Sequence, residues 1–178
     1  MSAELDPTHA LGTDEFAPLL SHLGERFRGA HAADYAGPPL ERGQGIVFNI
    51  DKLVRDDGTA GSGTHWVSAV RGAKDVVYFD SFGAPPPASI LAWLSEGGTR
   101  PVHGSETRLQ DLRSNACGYY AADFVNEMLT GSRLATTSKL RAYVERLERL
   151  GPARADDFVA KRIANRQVGG RAPKTRSS

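Results

Sequence analysis

Cysteine is nearly absent from this chain: Cys117 is the only one in 178 residues, so no disulfide can form within it. That scarcity fits a reducing compartment. Long hydrophobic runs are absent too, and nothing approaches the ~20 apolar residues of a membrane-spanning helix. The opening stretch "MSAELDPTHALGTDEF" is acidic and lacks a basic segment followed by an apolar one. The expectation is therefore no membrane association and no secretion through a signal peptide. Five histidines are scattered without an i, i+4 pair, and a lone cysteine offers no Cys pair. No metal site is expected. "GTAGSGTH" places Gly58 and Gly63 at phosphate-loop spacing, but Thr64 stands where the phosphate-binding lysine belongs. No G-x-S-x-G elbow occurs.

What remains is an ordinary globular composition, with 40% hydrophobic and 24% charged residues. A chain of this length suits one domain with a substantial core. The net charge of +1 conceals a division along the chain. Residues 1–131 hold 10 Lys and Arg against 17 Asp and Glu, whereas residues 132–178 hold 12 against 4. The last eighteen, "KRIANRQVGGRAPKTRSS", carry six basic side chains and no acid. Such a block reads first as a solvated tail, and secondly as a surface for nucleic acid or an acidic partner. No aromatic side chain interleaves with these charges, so base stacking is not suggested.

Apolar spacing of three and four at Phe16, Leu19, Leu20, Leu23 and Phe27 predicts a helix, with Pro18 in its first turn and a cap region near Thr13. "RGAHAADYAGPPLERGQ" reads as a loop broken by Gly37, Pro38 and Pro39. "GIVFNID" is a short buried strand, and "RDDGTAGSGT" a loop. "HWVSAVRG" and "DVVYFDSFG" form a hairpin around Gly72–Asp75, with His65 opening one strand and Asp80 near the end of the other. A short helix carries Ile90, Leu91 and Leu94, and "HGSETRLQ" is read as a strand ending at Gln110. Three helical patterns follow: from Cys117 to Gly131, "SKLRAYVERLERL" and "RADDFVAKRIANR". The reading is α+β, with a single domain over 1–165 and a basic tail over 166–178.

Taken singly, each candidate residue has an ordinary structural explanation. Cys117 could fill a core, His65 could edge a strand, Asp80 could close a turn and Gln110 could be a routine polar residue. Taken together they supply each requirement of thiol chemistry once. Cys117 opens a predicted helix, whose N-terminal partial charge favours thiolate. Asn115 is placed to cap that helix, and Gly118 permits close approach of backbone. A histidine can serve as base, a carboxylate can orient it, and an amide can stabilise an oxyanion.

The blocks "GSGTHW", "VYFDSFG" and "LQDLRSNACGYYAADF" resemble the signature blocks of adenovirus-type maturation proteases (adenain). The related ubiquitin-like-protein proteases of the Ulp/SENP group share the order histidine, acid, glutamine, cysteine. The resemblance spans Gly61 to Phe124. It implies a papain-related α+β fold of the adenain/Ulp type, with a small central mixed sheet flanked by helices. It implies Cys117 as nucleophile, His65 as general base, Asp80 as orienting acid and Gln110 as oxyanion donor with the Cys117 N–H. Trp66 would shield the site.

Two departures stand out. Asp80 occupies a position where the adenovirus enzymes carry glutamate, as the Ulp group does not. The absent second cysteine excludes activation by a disulfide-linked peptide. A non-covalent peptide or DNA activator stays compatible with the resemblance, and no cofactor is required chemically. The implied activity is a viral maturation cysteine endopeptidase cutting capsid or scaffold precursor polypeptides, acting in the virion and host cell interior (nucleus or cytoplasm). DNA contact would run through 161–178. The alternatives are a deubiquitinase or deSUMOylase, an acyltransferase with the same triad, and a non-enzymatic DNA-binding capsid-associated protein.

Overall fold

Alternation of apolar side chains along three neighbouring strands gives this protein a sheet buried on both faces. The computed structural model describes residues 9–50, 65–131 and 133–169, with side chains described to residue 166. The Gly-rich stretch that imitates a phosphate loop and the last nine residues lie outside the described residues. The strands are β1 (Phe27–His31), β2 (Gly45–Asn49), β3 (Trp66–Arg71), β4 (Val76–Phe79) and β5 (Val102–His103). They lie in sequence order, with β1–β2 and β4–β5 parallel and β2–β3 and β3–β4 antiparallel. The sheet is small and mixed, and helices flank it, as expected.

The period of two sends successive side chains to opposite layers. Val47, Val70, Val77 and Phe79 point into a cluster with Phe124, Val125, Met128 and Tyr143 from the helical layer. Ile46, Phe48, Val67, Ala69 and Tyr78 point the other way, where Ile90 and Leu94 of α2 (Ala88–Leu94) cover them. Within the helical layer, α3 (Cys117–Leu129) lies against β3 and β2, with α4 (Thr137–Glu148) and α5 (Pro152–Gly169) on its other sides. Every residue of α3 except Glu127 is buried. A helix apolar nearly all round belongs in a core, and α3 is the spine of this one. Its buried Asp123 accepts from Tyr143 Oη of α4 at 3.0 Å and pairs with Arg162 Nε of α5 at 3.2 Å. Burial pushes that carboxyl up to about 6, against the pull of Arg162 and the Tyr143 hydroxyl.

Three sequence expectations need correction. The helix expected over Phe16–Phe27 is broken into α1 (Phe16–Leu19) and a 3-10 turn over Ser21–Arg26. Gly24 sits at φ 55°, ψ −135°, a conformation open to glycine and strained for other residues. It redirects the chain, and Phe27 begins a strand. The apolar spacing reported burial correctly (Phe16, Leu19, Leu20 and Leu23 are all buried) but not a continuous helix. The stretch read as a loop from Arg28 contains most of β1, whose polar residues lack strand alternation because it is a half-buried edge. Finally, only Val102 and His103 form β5. Residues 104–110 run irregularly, and the Leu109 and Gln110 amides both donate to the Ser81 carbonyl at 2.8 and 3.1 Å. The hairpin, the strand from Gly45, and the helices from Cys117 onward lie where the sequence placed them. Helix α5 continues to Gly169, past residue 165.

Candidate active site

The β3–β4 hairpin brings His65 and Asp80 to one end of the sheet. His65 immediately precedes β3 and Asp80 immediately follows β4, and the strands pair with Ser68 opposite Phe79. Continuing that register sets Asp80 opposite Val67, one diagonal step from His65, within reach of a side-chain contact. His65 Nε2 lies 2.8 Å from Asp80 Oδ1, with both residues buried. The Phe82 amide donates to the same carboxylate oxygen at 2.7 Å, fixing it. The Phe82 ring stacks on the imidazole, with centroids 4.8 Å apart and planes 28° from parallel. One ring nitrogen and one ring face are thus committed.

The remaining nitrogen, Nδ1, is buried and has no partner at ordinary hydrogen-bond geometry among the described residues. Cys117, the first residue of α3 and free of any disulfide, is the second side chain acting on this ring. Burial alone would lower the imidazole pKa. Asp80, hydrogen-bonded to the ring, and then Cys117 close beside it outweigh burial and raise His65 from 6.5 to about 9. The raised value favours the protonated ring.

The linkage has a definite sign. A histidine whose folded value exceeds its unfolded value stabilises the fold fully below about pH 6.5, and the contribution is lost as pH rises through the folded value. Thermal unfolding of the unaltered chain between pH 6 and 10 is expected to show Tm falling across that window. Adding Asp80→Asn should flatten the fall, since each unit of elevation is worth about 1.4 kcal/mol. Equal slopes in the two proteins would remove Asp80 from the couple.

Cys117 occupies a helix N-terminus, where the first backbone N–H groups lack intrahelical partners. Ala116, not Asn115, takes the N-cap position, with φ −76° and ψ −2° and no capping side chain. At Gly118 the close neighbour is a side chain, since a Cβ there would sit 2.8 Å from the Leu11 Cβ. Trp66 secures that crossing segment by donating Nε1–H to the Leu11 carbonyl at 2.8 Å, and its ring meets Phe16 edge-on at 4.7 Å. Gly118→Ala should lower Tm by overpacking worth about 1–3 kcal/mol. An unchanged Tm would mean that the Leu11 segment gives way freely.

Gln110 is buried, and its amide orientation follows from its neighbours. The Ser114 carbonyl 2.9 Å away can only accept, so it must face the Gln110 Nε2. That leaves Oε1 to accept from the Ser81 hydroxyl at 2.6 Å. One of the two amide hydrogens is spent on Ser114 and the other remains for a ligand. Ser81 follows Asp80 directly, so the hairpin end that orients the imidazole also orients the amide.

The fold therefore gathers His65, Asp80 and Cys117, and sets Gln110 one short loop before the cysteine. Sequence reasoning missed Ser81, Phe82 and Ser114 as supporting residues. The first two stood inside "YFDSFG", and a small hydroxyl beside the acid was the available signal. Ser114 carried none.

No protein-family model matches the chain, and no curated protein sequence matches it. Among solved structures, it is similar to the crystal structure of a protease from ASFV, determined in its selenomethionine form. The two share 22% sequence identity over 58% of this chain, with a TM-score of 0.35. The aligned part spans 43% of that protease, less than half its length.

Proposed function

We propose that this chain is a cysteine endopeptidase working through an acyl-enzyme on Cys117. The observation carrying this reading is the buried His65–Asp80 pair at 2.8 Å, with the ring of His65 also acted on by the only cysteine. The Cys117 thiolate adds to the scissile carbonyl carbon, and the carbonyl oxygen becomes an oxyanion accepting from Gln110 Nε2 and the Cys117 amide. As the tetrahedral adduct collapses, the His65 imidazolium gives its proton to the departing amine and the C–N bond breaks. His65, now neutral, takes a proton from water, whose oxygen attacks the thioester. Collapse of that second adduct releases the carboxylic acid and restores thiolate and imidazolium.

The finer reading is a viral maturation enzyme that cuts capsid or scaffold precursor polypeptides, in the virion and host cell, with small residues such as glycine around the cut bond. It rests on the resemblance of the three sequence blocks. A non-covalent peptide or DNA activator and DNA contact through 161–178 belong to the same proposal. The test is a set of internally quenched peptides with glycine on both sides of the cleavable bond, incubated with the wild-type chain and Cys117→Ala. Turnover by the wild type alone, with an acyl adduct on Cys117 trapped by acid and seen by mass spectrometry, is expected. No turnover, with or without DNA, would reject the endopeptidase reading. Reaction confined to probes ending in Gly-Gly of ubiquitin or SUMO would replace the precursor substrates by ubiquitin-like proteins.

A further inference from the structure

Helix α5 sends one carboxylate toward the far side of the loop between Gln110 and Cys117. Asp156 is 5% exposed and lies in the early part of the helix. The Tyr120 hydroxyl of α3 donates to its Oδ1 at 2.8 Å, and the same hydroxyl stands 3.2 Å from the Leu109 carbonyl oxygen. The Ser114 side chain and the Asp111 backbone also lie near enough to favour the charged form of Asp156, against the burial that raises it. One carboxylate thus joins the helix that begins with Cys117, through Tyr120, to the loop before it.

Within the loop the Ser114 amide donates to the Asp111 carbonyl at 3.1 Å, the Arg113 amide to Asp111 Oδ1 at 2.9 Å, and the Ala116 amide to Ser114 Oγ at 3.5 Å. Leu112 at its tip is 68% exposed and packs nothing down. Yet Ser114 in this loop presents the carbonyl that holds Gln110 Nε2. The path is short: Asp156 acts on the Ser114 side chain, and the Ser114 carbonyl accepts from the Gln110 amide.

We propose that Asp156 is a positioning residue, anchoring the 111–115 loop to α3 so that Gln110 presents its free N–H to the oxyanion. This inference rests on the cysteine-endopeptidase reading above. A displacement of about 1 Å at such a donor can cost on the order of 100-fold in rate.

The experiment uses the full chain and the peptide cleaved by the wild type, with Cys117→Ala as blank. Wild-type turnover absent from the blank settles the reading on which the inference rests, before any Asp156 variant is compared. Asp156→Ala is expected to lower kcat by roughly 10- to 100-fold, with KM within about twofold. Alkylation of Cys117 by iodoacetamide across pH 5 to 9 should match the wild type, because no oxyanion forms in that reaction. Asp156→Asn keeps one carbonyl acceptor and should recover part of kcat. Asp156→Ala added to Gln110→Ala should cost little more than Gln110→Ala alone, since both act through one donor. Should Asp156→Ala fail to fold, Ser114→Ala removes one link only and should show the same loss in kcat with unchanged alkylation. The inference is overturned if kcat is unchanged, if the Asp156 and Gln110 losses multiply, or if alkylation falls in step with kcat.

Discussion

His65→Ala is expected to lower kcat/KM on a cleavable peptide by roughly 10³- to 10⁴-fold and to slow alkylation of Cys117 at pH 6 to 7. General acid–base catalysis by one side chain is worth about 10²- to 10⁴-fold, and here the same ring also maintains the nucleophile. The upper part of the range applies because His65 is used three times per turnover: pairing with thiolate, protonating the amine and activating water. The two readouts separate its roles. Alkylation needs only the thiolate, and its rate reports the electrostatic couple between Cys117 and the ring. Hydrolysis needs proton transfer as well. Equal alkylation of wild type and mutant near pH 6 would mean that the imidazole does not act on the thiol. The buried cysteine would then be core packing, and the non-enzymatic reading would return. Asp80→Asn should lie between the two proteins, since it leaves the ring in place but removes the charge holding Nε2.

Gln110→Ala should lower kcat by about 10²- to 10³-fold, equivalent to roughly 2.7–4 kcal/mol, with KM nearly unchanged. The free N–H of Gln110 has its partner in the tetrahedral oxyanion more than in the planar carbonyl, so its loss falls on the transition state. Gln110→Glu sharpens the test. It keeps the shape but offers a carboxylate, where an oxyanion would develop, next to the Ser114 carbonyl, an acceptor. Its kcat is expected to fall at least as far as that of the alanine variant. Cys117 alkylation should hardly respond to Gln110→Ala, in contrast to His65→Ala. A loss expressed wholly in KM would place Gln110 in substrate binding and not in the oxyanion hole.

How far the site could be read without coordinates varies residue by residue. His65, Asp80 and Cys117 were legible because each sits at the boundary of an element with a strong local pattern: two β-prone runs joined by a turn, and a helix with apolar steps of three and four. Gln110 was legible only through its place in a longer block, since the irregular 104–110 stretch carries no pattern. Asp156 was illegible. A carboxylate inside "RADDFVAKR" looks like a helix surface, and Asp157 beside it is indeed exposed. Which of the two turns inward depends on the angle at which α5 lies on α3. The same holds for Gly24, where a single backbone conformation converts an expected helix into a turn and a strand.

By itself, the sequence determined the absence of disulfides, the α+β alternation, the buried strand from Gly45 and the order in which four chemically suited residues occur. Those are properties of composition and of short-range period, which neighbouring residues carry among themselves. Only the tertiary structure decided that Nε2 of His65 meets Asp80 and leaves Nδ1 over, that Ser81 and Ser114 turn the Gln110 amide one way, and that α5 braces the loop between them. These are contacts between segments far apart in the chain, and their geometry depends on how helices and strands pack. Side-chain period does not encode that packing.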